Sequence, residues 1–252
     1  VWLVTCVRFA VGLMLISMFF WDEWRPRELL RDRKLIERGL VGGLSVYGYY
    51  LTVVELGAGR ATFINNTYVV MGGCLAVMLL GERLHALLLL GGLISLAGLA
   101  LLTDVLATGG GPGFYDLVAV VVAFSSAWVV ITIRQLHAAG VHTATIFSAQ
   151  CAYGLLVCLG PAVVWFAPPS PLAWVVMTLA AVCAGGGQIF MTRGFADLAV
   201  GRGSLLQMLV PLGVAAGGVV FFHEHFRPAE IVGGLLIVAG TALPAWRRAS
   251  NV

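Results

Sequence analysis

Hydrophobic residues run along this chain in long unbroken stretches, with neither the alternation of barrel strands nor the single apolar stripe of a soluble helix. In a bilayer such a run must be helical, because every backbone N–H and C=O has to find its partner inside the segment. A hydrocarbon core takes about 20 residues of helix. The pattern predicts nine spans, at 1–20, 39–54, 61–80, 86–103, 114–133, 144–166, 173–192, 203–222 and 228–246, and hence an all-α integral membrane protein. The connections are short, and two carry turn residues, Gly109 to Gly113 and the prolines Pro168, Pro169 and Pro171.

Composition narrows the class. Of 252 residues 60% are hydrophobic and 11% charged, with a mean hydropathy of +0.97, whereas soluble domains carry about 25% charged residues. Fifteen basic and twelve acidic side chains cannot cover a soluble surface of this size, so a soluble enzyme is excluded. The net charge of +3 is spread along the chain, which excludes a nucleic-acid binder. Cys6, Cys74, Cys151, Cys158 and Cys183 all fall in apolar runs without metal-ligand spacing, and are expected to be small core residues. No cofactor and no metal is expected. The run from Val1 to Phe20 is too long for a cleaved signal.

Basic residues are retained on the cytoplasmic side of a membrane. If the first span enters from outside, the inner segments hold Arg25, Arg27, Arg31, Arg33, Lys34, Arg38, Arg83, Arg134, Arg193, Arg202, Arg247 and Arg248, the outer ones only Arg60 and Arg227, and Arg8 lies in a span. The expected C-terminus is therefore cytoplasmic, with residues 247–252 as a tail. The mixed-charge segment 21–38 is expected to be a solvated interfacial helix.

Shifting the chain on itself by 142 positions aligns Ala10, Gly12 and Leu13 with Ala152, Gly154 and Leu155, and Gly43 with Gly185. Leu56, Gly59 and Arg60 meet Leu198, Gly201 and Arg202; Glu82 meets Glu224; Gly91, Gly92, Leu93, Ala97 and Gly98 meet Gly233, Gly234, Leu235, Ala239 and Gly240. The chain is thus expected to hold two copies, 1–104 and 114–246, joined by an outer loop at 105–113. The second copy has five helices and the first four, so an N-terminal helix is expected to be missing and the intact protein to have ten. An odd number of helices per copy inverts the copies in the membrane, a recurrent transporter plan.

Gly81-Glu82-Arg83-Leu84 followed by Gly91-Gly92, Ala97 and Gly98 resembles the end of an EamA domain, the repeat unit of the drug/metabolite transporter superfamily. Arg8-Phe9 resembles that family's second helix, and Pro211 the proline of a penultimate helix. Two positions depart from the pattern: His223-Glu224-His225 stands where Gly-Glu-Arg is usual, and Val69 where the proline would sit. The resemblance implies two inverted five-helix repeats around a central cavity, and movement of small metabolites by alternating access.

Ionisable groups inside spans are functional candidates by their cost. Arg8 lies within snorkelling reach of the outer interface, and Glu82 and Glu224 at span ends are placed to cap the following helix or pair with Arg83 or Arg227. These residues are expected to serve structure and topology, and Glu55 and Arg60 to be wet. The expected cavity lining is uncharged: Asn65, Asn66 and Tyr68 in the third span, Tyr47 and Tyr50 sharing a face of the second, Ser125 and Trp128 in the fifth, and Gln188 and Gln207 in the second copy. Each could instead bond between helices. The glycine pairs suit close helix packing and lack the strand and lysine of a phosphate loop. The reading is a secondary transporter, without catalytic chemistry, for a small polar or amphipathic metabolite. Its setting would be a bacterial inner membrane, as a monomer or homodimer whose partners are that metabolite and the lipid bilayer. The alternative is a membrane-embedded enzyme or a structural membrane subunit; for the enzyme no G-x-S-x-G, H-E-x-x-H or paired intramembrane Asp is present.

Overall fold

The structure is a computed structural model that describes residues 1–83, 85–105, 113–223 and 225–249. Glu224, Leu84, most of the 105–113 loop and the end of the tail lie outside the described residues. All regular structure among the described residues is helical: α1 Trp2–Phe19, α2 Arg33–Leu56, α3 Ala58–Asn66, α4 Tyr68–Leu80, α5 Ala86–Leu102, α6 Phe114–Ala138, α7 Thr143–Val164, α8 Pro171–Asp197, α9 Val200–Gln207, α10 Val210–Phe222 and α11 Pro228–Ala249.

Six stretches are long and apolar enough to cross a membrane: α1, α3 with α4, α6, α7, α8, and α9 with α10. α5 and most of α11 are shorter apolar helices, and the expected span 39–54 lies inside α2. Large apolar side chains such as Leu156, Val163, Phe190, Val214 and Phe221 are exposed. In water such a surface would aggregate; against lipid it is matched.

The third and eighth spans are not the single helices expected from the pattern. α3 stops at Asn66, where Asn66 donates from Nδ2 to the Thr62 carbonyl at 2.8 Å and Thr67 from Oγ1 to the Ile64 carbonyl at 2.7 Å. Such side-chain bonds compete with the helical ladder. α9 gives way to α10 across Met208 and Leu209, just before Pro211, which has no N–H to donate. Thr67 and Leu209 are related by the 142-residue shift. The segment 21–38 also departs from a single interfacial helix: Pro26–Leu30 form a 3₁₀ turn and α2 starts at Arg33. That segment is pinned to α7, for Tyr153 donates to the Leu29 carbonyl at 2.7 Å and His142 meets Glu23 at 3.1 Å.

Two compact units are built from the chain, and neither coincides with a sequence copy. One comprises 1–51 and 129–198, the other 52–128 and 199–252. In the first, Phe9, Ile16, Ala144, Phe147, Cys151 and Cys158 form a buried cluster between α1 and α7. The Phe9 ring covers Gly154, and a Cβ on Gly12 would stand 2.6 Å from Cys151 Sγ, so the two helices run antiparallel. In the second unit, α5 crosses α11 backbone to backbone. A Cβ on Gly98 would stand 2.5 Å from the Gly233 carbonyl oxygen, and one on Gly240 2.5 Å from that of Gly91. Ser95 donates to the Ile237 carbonyl at 3.4 Å at the middle of this crossing. Three cysteines, Cys6, Cys151 and Cys158, are buried as expected; Cys74 and Cys183 are exposed, which corrects the expectation of five core cysteines. They lie on helices α4 and α8, where an apolar run supplies lipid-compatible surface as well as core.

Candidate functional site

In the first unit α1, α2 and α8 converge on one cation. Arg8 donates from Nη1 to the Tyr50 hydroxyl at 2.8 Å and from Nη2 to Gln188 Oε1 at 3.5 Å. Its guanidinium carbon lies 5.8 Å from the centre of the Tyr50 ring, within cation–π range. One turn before Tyr50, Tyr47 stacks on Trp2 with ring centres 3.7 Å apart. Tyr47, Tyr50 and Gln188 thus belong to one cluster, and it is Arg8 that brings Tyr50 and Gln188 together. The side chain is turned inward to these groups instead of snorkelling outward. Sequence reasoning underrated it because the length of the run sets its depth but not its direction.

A second arginine of this unit is deeper still. Arg38, expected among the cytoplasmic charges, is fully buried. Its Nη2 donates to Gln150 Oε1 at 2.7 Å, while Nε and Nη1 have no partner. Gln150 in turn donates to the Gly42 carbonyl at 3.3 Å, and the guanidinium lies against Gly42 where a side chain would collide with it. Spacing along the chain singles out neither Arg38 nor Gln150. The one signal is that an apolar run begins directly after Gly39, which places Arg38 at the mouth of a span and not in the charged segment before it.

In the second unit the polar groups are neutral and gather near the two helix breaks. Ser126 donates to Asn65 Oδ1 at 3.3 Å, joining α6 to α3. Asn66 is buried and satisfied by its own helix. Tyr68 Oη, Ser204 Oγ and Gln207 Nε2 are buried with no partner, on α4 and on α9, which pack together. Buried polar atoms are nearly always paired with protein or ordered water, so three orphans on adjoining helices mark a place for water or a polar ligand. Ser125 donates back to the Val121 carbonyl at 2.8 Å, and Trp128 follows it on α6.

The carboxylate of Glu82 reaches a helix far along the chain. Its Oε2 accepts from the Val200 N–H at 2.9 Å, at the start of α9, where a carboxylate answers the unpaired donors of the first turn. Arg83 is exposed beside it. Arg60 is not wet: it pairs with Asp116 at 2.7 Å with both side chains largely covered. Arg227 pairs with Asp104 at 3.0 Å. No group of His, Cys, Asp and Glu able to hold a metal occurs among the described residues.

The EamA-like transporter family profile matches residues 1–104 and 113–245, so the chain belongs to that family, whose members are transporters and not enzymes. With its apolar helices this makes it an integral membrane protein. No curated protein matches the chain. Among solved structures, one titled "Crystal structure of protein" superposes with a TM-score of 0.82 at 19% identity, covering 98% of this chain and 88% of that one. At that identity the likeness concerns the fold.

Proposed function

We propose that the protein is an alternating-access secondary transporter of a small polar or amphipathic metabolite, built as an inverted repeat of two copies. The observation that carries this reading is the pairing of equivalent helices. Gly91 meets Gly240 and Gly98 meets Gly233, and each partner is the 142-shift equivalent of the other glycine. Phe9 with Gly154 and Gly12 with Cys151 repeat the relation in the first unit. Equivalent helices that cross antiparallel in this way imply copies of opposite membrane direction, which serves to present one site to two sides in turn. The helix breaks at Thr67 and Leu209 support it further, since discontinuous helices are where such carriers build their sites. In this reading the cytoplasmic C-terminus follows from the basic residues.

Cysteine placed singly at position 82 or 224 of a cysteine-free chain tests the topology: an impermeant maleimide should label the two from opposite sides. Labelling from one side removes the inverted repeat. Asn65→Ala should reduce uptake into vesicles while leaving the yield of folded, detergent-extracted protein nearly unchanged. A loss that follows folding alone would make Asn65 a helix-packing residue and remove it from the lining.

A further inference from the structure

Resting on the carrier reading, the geometry points to Arg8 as the anchor for a carboxylate: we propose that the solute is a small organic monocarboxylate with an apolar body, held by Arg8, Tyr50 and Gln188.

The depth of the site comes first. Arg8 is eleven residues from the end of α1 at Phe19, and Gln188 nine from the end of α8 at Asp197. At 1.5 Å per residue that is about 16 and about 14 Å, close to half of a hydrocarbon core about 30 Å thick. A cation there must be compensated or must face water. Among the described residues no carboxylate pairs with it. The acidic residues of this unit are Asp22, Glu23, Glu28, Asp32, Glu37 and Asp197, all in the 21–38 segment or at the last position of α8. Among the described residues no ion pair involves Arg8, and its partners are a phenol and an amide.

Burial then separates the two arginines. Arg38 has no exposed surface and cannot meet a solute in this conformation. Arg8 is only partly buried, and none of its nitrogens is enclosed without a partner. Two of its five N–H donors are engaged, at Nη1 and Nη2, which leaves donors on a face open to a ligand. A guanidinium fork matches the two oxygens of a carboxylate. Tyr50 accepts from Arg8, so its own O–H is free to donate to the same group, and Gln188 holds the fork from the α8 side. The single charge suits a monoanion. The acidic residues of this unit stand in the 21–38 segment and at the end of α8, so no second, opposite charge stands beside Arg8 to select a zwitterion. The stacked Trp2 and Tyr47 rings, on the same two helices as Arg8 and Tyr50, supply a flat apolar surface for the rest of the molecule.

The test uses three probes of one shape, benzoate, benzamide and benzylamine, with the purified full chain. Thermal denaturation in detergent reads binding, and uptake of the labelled compounds into reconstituted vesicles reads transport. Benzoate alone should raise the unfolding midpoint and be taken up. Arg8→Gln should weaken benzoate binding at least tenfold, Arg8→Lys should keep part of it, and Tyr50→Phe should weaken it severalfold. Benzamide or benzylamine binding as well as benzoate, or a folded Arg8→Gln protein with unchanged affinity for benzoate, overturns the proposal. Binding of none of the three overturns it as well. Benzoate bound through Arg8 but not carried leaves the site and removes the carrier reading; benzamide carried without any binding of benzoate does the reverse. If Arg8→Gln does not fold, Tyr50→Phe and Gln188→Leu decide, and unchanged affinity in both rejects the site.

Discussion

The two compact units solve the same packing problem with different material. Each is organised on an antiparallel crossing of equivalent helices, α1 with α7 in one and α5 with α11 in the other. The second crossing brings carbonyl oxygens against glycine α-carbons on both sides, whereas the first sets Gly12 and Gly154 against the ends of side chains, Cys151 and Phe9. Charge is divided as unevenly. The second unit pairs Arg60 with Asp116 and Arg227 with Asp104, while Arg8 and Arg38 of the first rely on neutral oxygens of Tyr50, Gln188 and Gln150. Helices related by the 142-residue shift therefore cross antiparallel in both units, while the material that fills each crossing differs. Backbone meets backbone at the α5–α11 crossing of the second unit, whereas in the first such contact falls between α2 and α7, where a Cβ on Gly43 would stand 2.5 Å from the Gly154 α-carbon; the arginines without an acidic partner, Arg8 and Arg38, lie in the first.

The sharpest way to break this contrast is one methyl group. Gly98→Ala would press a Cβ to 2.5 Å from a backbone oxygen that cannot rotate away. Overpacking typically costs about 1–3 kcal/mol, and this site belongs at the upper end, about 3 kcal/mol. Gly12→Ala meets Cys151 Sγ at 2.6 Å and the edge of the Phe147 ring at 3.2 Å; the thiol can rotate out of the contact, so the change should cost less, about 2 kcal/mol. Gly213→Ala, with open space around its Cβ inside α10, is the control and should be neutral to stabilising by about 0.5 kcal/mol. Thermal midpoints of the three detergent-extracted proteins check the order. Equal losses at Gly98 and Gly12 would erase the difference between the units.

A second prediction concerns the buried cation. Gln150→Leu removes the one partner of the Arg38 guanidinium and should cost about 3 kcal/mol, as expected when a buried charge loses its partner. Adding Arg38→Met to Gln150→Leu replaces both groups by apolar ones and should recover most of that loss. Denaturation of the single and double variants provides the measurement. Additive losses would mean that Arg38 is not energetically tied to Gln150, and the first unit would then carry no stranded charge.

Much of this architecture could be read before any coordinates. Continuous apolar runs locate the helices, because a bilayer leaves the backbone no other structure, and the 142-residue shift relates the helices that cross in each unit, α1 with α7 and α5 with α11. The breaks at Thr67 and Leu209 escaped, since Asn66 and Thr67 are compatible with a helix until their side chains turn back on its carbonyls. Glu82 was legible as a capping carboxylate, yet its target at Val200 is 118 residues away and no local signal could name it. The compact units were illegible for a similar reason: α2 and α6 each pass from one unit to the other, so no linker or change of composition marks the boundary. For the site, residue type identified Tyr47, Tyr50 and Gln188 as candidates. Side-chain direction, which sequence does not encode locally, decided that Arg8 joins them.

The smallest expected effect compares the copies at a single torsion angle. Gly81 ends α4 in the left-handed conformation at φ +65°, and His223, its equivalent under the 142-residue shift, ends α10 in the same conformation at φ +55°. Both turns must bend the chain back the same way, because the cap N–H of each reaches the carbonyl of a residue five positions earlier, Ala76 for Gly81 and Gly218 for His223. Glycine adopts that angle freely, whereas a Cβ there crowds the following carbonyl and costs roughly 1 kcal/mol. His223→Gly should therefore stabilise the protein by about 1 kcal/mol, less the greater entropy that glycine adds to the unfolded chain. Gly81→His, the reciprocal change, should destabilise it by a similar amount. The two substitutions exchange the residues of one motif, so the difference between their thermal midpoints measures the local strain with the fold held constant. A destabilised His223→Gly would show that the imidazole makes a compensating contact at the end of α10, and that this position has diverged by gaining an interaction instead of tolerating strain; a stabilised Gly81→His would show that the left-handed angle carries no such cost at the end of α4.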